Sequence, residues 1–129
     1  MMKRFVWLGL VALLVVGVAA GCGGTKQPAA QTDGVTIEAG PGLKFTPKTV
    51  TVKAGTTVTW VNKDTMEHDA ASGKVENGQV VLDGYFRSPM LKPGEKWSFT
   101  FDKPGTYPYV CTVPGHAQGG MVGEIVVEP

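Results

Sequence analysis

From Val35 to its end, the chain alternates apolar and polar residues in short runs, and this period of two residues is typical of strands that bury one face. These runs lie at 35–39, 49–53, 56–62 and 97–101, and a last one begins at Met121 or just after. Turn-forming pairs separate them: Pro41-Gly42, Ala54-Gly55, Pro93-Gly94 and Pro104-Gly105. No segment has a helical stripe. The pattern predicts an all-β fold, an antiparallel sandwich built on one core.

The least regular part of this region runs from Ser72 to Leu91. Glycines interrupt its short apolar pieces, and Asn77-Gly78 could close a hairpin between Val75 and Val80-Val81. We expect a surface excursion between sandwich strands here, with the hairpin as the alternative.

The first 34 residues predict export and anchoring. Lys3-Arg4 precedes the apolar residues 5–20, which form a signal sequence because they fall short of the roughly 20 residues that cross a bilayer. Ala19-Ala20-Gly21-Cys22 resembles a lipobox, so we expect cleavage after residue 21 and lipidation of Cys22. Residues 22–34 then form a flexible tether, and 35–129 form the domain. An uncleaved anchor and simple secretion are the alternatives.

Three candidate metal ligands lie within eleven residues: Cys111, His116 and Met121. His68, the other histidine, follows the 56–62 run far upstream. A thiolate and two imidazoles with a long axial thioether favour copper in a blue electron-transfer site. Structural zinc would need a fourth strong ligand. A cysteine nucleophile with His116 as base would lack an orienting acid, and a Cys22–Cys111 disulfide would consume the thiol.

The order His68, Cys111, His116, Met121, the Asn62-Lys63-Asp64 lead-in and the string Cys-Thr-x-Pro-Gly-His resemble the cupredoxins, and within them auracyanin and azurin. The resemblance covers about residues 35–129 and implies a Greek-key sandwich with one type 1 copper. It also implies that backbone N–H groups of Asp69 and Val113 point at the Cys111 sulfur. Relatives usually carry Asn, which ties the two ligand loops together, where this chain has Asp69. The His116 edge is expected within an apolar patch, with Pro89 and Met90 beside it.

The function predicted on this basis is electron transport rather than catalysis. A formal net charge of +1 and the lack of a long basic run argue against nucleic-acid binding. We expect a monomer on the outer face of the cytoplasmic membrane or in the periplasm. Its partners would be redox proteins, such as a cytochrome, an oxidase or another membrane electron-transfer complex. Copper storage or delivery is the alternative function. An oxidase or nitrite reductase would need a second metal centre, for which the chain has no further histidines.

Overall fold

The computed structural model describes residues 34–129, and every regular element in that range is a strand. The predicted signal, Cys22 and almost all of the tether lie outside the described residues. The strands are β1 Val35–Ala39, β2 Phe45–Thr46, β3 Thr49–Lys53, β4 Thr56–Asn62, β5 Ala71–Glu76, β6 Gln79–Arg87, β7 Lys96–Phe101, β8 Gly105–Val110 and β9 Val122–Glu128. Residues 34–129 contain no helix with the length and hydropathy of a membrane span.

The strands form two sheets that face each other. One sheet has the order β2-β1-β4-β7 and the other the order β3-β9-β8-β5-β6. Most neighbouring pairs are antiparallel, as the turn spacing predicts, but β1 pairs with β4 and β3 pairs with β9 in parallel. Parallel neighbours cannot be joined by a tight turn. Between β1 and β4 the chain therefore leaves the first sheet, adds β3 to the second sheet and returns. The predicted all-β sandwich is confirmed.

The core follows from the alternation. In β1 the three apolar side chains are buried and the two polar ones exposed, and in β9 Gly123, Ile125 and Val127 face inward. Trp60 of β4 is fully buried and contacts the rings of Phe86, Trp97, Phe101 and Tyr109. Truncating such a side chain costs about 3–5 kcal/mol, so Trp60 anchors the two sheets to each other.

The region from Ser72 to Leu91 is not a surface excursion, and that expectation is wrong. β5 and β6 form a hairpin that lengthens the five-stranded sheet. Asn77 and Gly78 turn it with φ values of 50° and 75°, as a two-residue hairpin turn requires. The pattern failed because β6 is exposed on most of its length, including Val81 and Leu82, so its apolar residues do not mark a buried face.

Candidate metal centre

The backbone of His68, in the connection between β4 and β5, is held by a bridge to Leu91. It follows β4, and its N–H and C=O groups exchange hydrogen bonds with Leu91 at 3.2 and 2.8 Å. Two residues later, the Ala70 N–H donates to the Ser88 hydroxyl, and the Ala70 C=O accepts from the Ser88 N–H. The His68 side chain is fully buried. Its imidazole therefore has a fixed position, although no regular strand contains it.

The loop between β8 and β9 carries the other ligands and is closed by its own backbone. The N–H of Cys111 donates to the C=O of Met121 at 3.1 Å, which extends the β8–β9 pairing by one rung. The C=O of His116 accepts from the N–H of Met121 at 3.0 Å, and the N–H of His116 donates to Val113 at 3.0 Å. A loop with these bonds at both ends presents its side chains in one arrangement.

Three predicted ligands meet at one point. The Nδ1 atoms of His68 and His116 lie 3.8 and 3.6 Å from Cys111 Sγ. The three donor atoms lie within 4.8 Å of one another. His116 is 5 positions from Cys111 in the chain, but His68 is 43 positions away, so the fold is needed to bring His68 to the other two.

The two sulfur–nitrogen separations fit a single ion. First-row metals bind thiolate sulfur and imidazole nitrogen at about 2.0–2.3 Å, so for angles from tetrahedral to trigonal the sulfur–nitrogen separation is about 3.5–3.8 Å. The observed 3.6 and 3.8 Å fall in that range. One soft thiolate with two imidazoles is a donor set that suits copper. The residues present therefore fit one copper ion.

The protein environment shifts the pKa values of two of these groups. Burial raises the pKa of the Cys111 thiol to about 11, although hydrogen bonds from the backbone N–H groups of Asp69 and Val113 oppose the rise. Burial, and then the proximity of His68, lower the pKa of His116. The metal-free site thus holds a neutral thiol and a neutral imidazole near pH 7, and a metal ion must displace the thiol proton.

Met121 stands at the end of the same loop and is fully buried. It belongs to the core cluster that also contains Cys111. Its backbone contacts with Cys111 and His116 hold it next to both ligands. Its buried side chain fills the core, and its role as a fourth ligand stays a prediction.

Asp69 ties the two ligand loops together through its side chain. Its Oδ1 accepts the Thr112 N–H at 2.6 Å, and its Oδ2 accepts the Thr112 hydroxyl proton. The carboxylate is 2% exposed, and Arg87 Nε lies 4.0 Å from Oδ2. A buried carboxylate is stable only with such partners. The Asp69 side chain therefore makes the connection that the sequence left open at this position.

Asp64 contacts the site, although the sequence offered only its place in the Asn62-Lys63-Asp64 lead-in. Its Oδ2 lies 2.9 Å from Nε2 of His68, on the side of the ring away from Cys111. The hydrogen bond with His68, followed by that from the Thr65 N–H, lowers the Asp64 pKa to about 2. The spacing of four residues between an acid and a candidate ligand was the available signal. It says nothing on its own, because outside a helix this spacing does not set a contact.

A shallow hollow of about 460 Å³ opens over the site. His116 forms part of its lining and is partly exposed, whereas His68 and Cys111 are buried. Met66 and Met90 also line it and are 44% and 41% exposed. Pro114 and Val113 complete the apolar part, and Glu67 and Thr112 the polar part. The imidazole of His116 is thus the ligand closest to solvent, in largely apolar surroundings.

Comparisons with known proteins agree with this geometry. A family model described as copper binding proteins, plastocyanin/azurin family, matches residues 31–128. The plastocyanin of Scenedesmus fuscus is 39% identical over 88 residues, which cover 67% of this chain and 88% of that protein. The amicyanin of Paracoccus versutus is 35% identical over 86 residues, and the match spans only 59% of its length. The structure of reduced auracyanin from Roseiflexus castenholzii superposes with a TM-score of 0.60 at 27% identity, over 78% of this chain and 99% of that one.

Proposed function

This chain belongs to the plastocyanin/azurin family of copper-binding proteins, and from that premise we propose that it carries single electrons between redox partners through one type 1 copper. The observation that carries the proposal is that the imidazole nitrogens of His68 and His116 lie 3.8 and 3.6 Å from Cys111 Sγ, on two loops fixed by backbone hydrogen bonds. Bound copper would supply a one-electron couple between Cu(I) and Cu(II).

In this proposal each residue has a separate role. Cys111 would hold the copper with its thiolate, His68 and His116 with neutral imidazoles, and Met121 with its thioether. The backbone N–H groups of Asp69 and Val113 donate to the sulfur, which stabilises the reduced site and raises its potential. The sandwich limits movement of the four side chains, so a change of oxidation state requires little rearrangement.

Electrons would enter and leave at the hollow over His116. The exposed Met66 and Met90 side chains give a partner an apolar contact beside a ligand that reaches the surface. A net charge near zero provides little long-range steering, which suits brief encounters with a redox protein. The partner class is a cytochrome, an oxidase or another membrane electron-transfer complex.

Copper storage or delivery remains the function to test against. A delivery site must release its metal, and two buried ligands, His68 and Cys111, together with a closed β8–β9 loop argue for retention. The copper-loaded protein should therefore be reduced and re-oxidised repeatedly in the presence of a strong Cu(I) chelator. A carrier recovers its colour after each cycle and keeps its copper. Transfer of the copper to the chelator in the first reduced phase would support delivery. A His116→Ala variant serves as a control that should lose copper readily.

We also propose that the chain acts outside the cytoplasm, held to a membrane by a lipid on Cys22. The support is the signal-like residues 1–21 and the lipobox-like Ala19-Ala20-Gly21-Cys22. The wild-type protein should fractionate with membranes and show a lipid on Cys22 by mass spectrometry. Cys22→Ala should lose the lipid and leave the copper site intact, because residues 22–34 have no packing pattern that could transmit strain. Wild-type protein with an unmodified Cys22 would overturn the anchor.

A further inference from the structure

The His68 imidazole has a different partner on each of its two nitrogens. Nδ1 faces Cys111 Sγ at 3.8 Å, and Nε2 faces Asp64 Oδ2 at 2.9 Å. The ring is fully buried and the Asp64 side chain is 9% exposed, so solvent competes little for this contact. If Nδ1 is the nitrogen that meets a metal, Nε2 must carry the ring proton and donate it to the carboxylate.

The Asp64 carboxylate is held on both of its oxygens. Oδ2 also accepts the Gly42 N–H at 3.0 Å, and Oδ1 accepts the Thr65 N–H at 2.7 Å. The Asp64 N–H donates in turn to Asn62 Oδ1 at 2.8 Å. Both Asp64 oxygens face N–H groups and neither faces an acceptor, which is the pattern of an ionised carboxylate. Two backbone N–H groups, those of Gly42 and Thr65, and the His68 ring hold it in place.

The loop between β1 and β2 closes against Asp64. A Cβ added at Gly40 would lie 2.7 Å from both the Cβ and the Oδ2 of Asp64, a separation that no side chain tolerates. Gly40 has a φ of 70°, and its N–H bonds to Lys44 at 2.9 Å. The missing side chain therefore lets the loop approach closely enough for the Gly42 N–H to reach the carboxylate.

We propose that Asp64 is a positioning residue for the copper site, which orients the His68 imidazole and lowers the reduction potential by its negative charge. This inference rests on the proposed function. The hydrogen bond keeps the proton on Nε2 and leaves Nδ1 free for the metal. A carboxylate next to a ligand stabilises the oxidised site, which has one more positive charge, more than the reduced site. Asp64 thus acts against the two N–H donors at Cys111, which favour the reduced site.

A purely structural role for Asp64 would leave the potential unchanged. Its bonds to Thr65 and Gly42 would by themselves explain an acid that stabilises a turn. Its orientation toward the buried Nε2 distinguishes the two roles, because a capping residue does not need that contact. A test must therefore read the electronic state of the site as well as the stability of the fold.

The experiment compares Asp64→Asn and Asp64→Ala with Glu67→Gln. Glu67 is exposed and lines the nearby hollow, so its substitution removes a carboxylate near the site and leaves the bond between Asp64 and the His68 ring in place. We expect the midpoint potential to rise in both Asp64 variants, and to rise by clearly less in Glu67→Gln. We expect Asp64→Ala to bind copper about 10–100-fold more weakly than wild type, because the ligand loses its orienting partner. Equal shifts in Asp64→Asn and Glu67→Gln would overturn the proposal.

Nuclear magnetic resonance of the wild-type Cu(I) protein gives a second readout, which does not depend on how well the variants fold. The His68 ring should show an Nε2–H proton that exchanges slowly with water. A His68 ring protonated at Nδ1 would overturn the proposal. Thermal unfolding of the metal-free variants separates a loss of fold from a change at the site. If the wild-type protein is blue and the Asp64 variants have the same midpoint potential, this inference alone is refuted. A wild-type protein without a blue site would refute the proposed function.

Discussion

Two opposing influences act on the sulfur of Cys111. Burial disfavours the thiolate and raises the thiol pKa to about 11, while the N–H groups of Asp69 and Val113 favour the charged form. A metal ion changes this balance, because it replaces the proton and neutralises the buried charge. Cys111 is therefore a weak nucleophile in the metal-free protein, and its surroundings suit a thiolate bound to a metal ion.

Copper binding should release about one proton per chain near pH 7, because the thiol is neutral there and the ligand is the thiolate. The pKa of His116 is lowered, so this ring adds no proton in that range. The apparent affinity for copper should consequently rise with pH until the pH approaches the thiol pKa of about 11. Titration in weakly buffered solution with a pH electrode measures the release. A pH-independent affinity between pH 7 and 9 would contradict the thiolate assignment.

Met121→Leu should retain copper and raise the reduction potential, because loss of an axial donor destabilises Cu(II) more than Cu(I). The two side chains have similar volumes, so the buried position should cost the fold less than about 1.5 kcal/mol. The matched control is Met90→Leu, the same substitution at an exposed residue of the hollow. Electrochemistry of the three proteins decides the point, and a lowered potential in Met121→Leu would exclude the axial role.

At the scale of elements, the site depends on bonds between loops that are distant in sequence. Asp69 joins the His68 loop to Thr112 on the β8–β9 loop, and Asp64 joins it to the β1–β2 loop. Leu91, in the β6–β7 connection, fixes the His68 backbone. Four connections therefore meet at one end of the sandwich, and each limits the freedom of the others.

Asp69→Ala should destabilise the metal-free protein by about 1–3 kcal/mol, because it leaves the Thr112 N–H without its acceptor in a part-buried position. Asp69→Asn should cost clearly less, since an amide oxygen can still accept from that N–H group and the amide nitrogen can donate to the Thr112 hydroxyl. Urea denaturation of the three proteins measures the difference. Equal stability of the Ala and Asn variants would show that the connection between the loops contributes nothing.

The strands that bury one face could be predicted from the sequence, and the contacts between loops could not. The alternation in 35–39 and 97–101 marks β1 and β7 correctly, because their inward side chains pack on the core. The β5–β6 hairpin was only the alternative prediction, because Val81 and Leu82 of β6 are exposed and do not mark a buried face. The parallel pairing of β1 with β4 and the contact of Asp64 with His68 depend on how distant segments meet, and no local pattern records that.

At the scale of the whole molecule, a small sandwich holds ligands that two separate regions of the chain supply. Trp60 and the rings around it join the sheets, so the ends of β4 and β8 keep a constant distance. Close packing of this kind leaves few alternative arrangements. The ligand geometry should therefore exist before the metal arrives, which reduces the rearrangement between oxidation states.

The visible spectrum during copper titration tests the central claim most directly. With wild-type protein, Cu(II) should produce an intense blue or green band that saturates at a single copper per chain, because the Cys111 thiolate donates charge to the ion. The Cys111→Ser variant should keep the fold, since no disulfide depends on this thiol, and should lack the band. A band of full intensity in Cys111→Ser, or colourless Cu(II) bound to the wild-type protein, would contradict the assignment of a copper–thiolate centre to His68, Cys111 and His116.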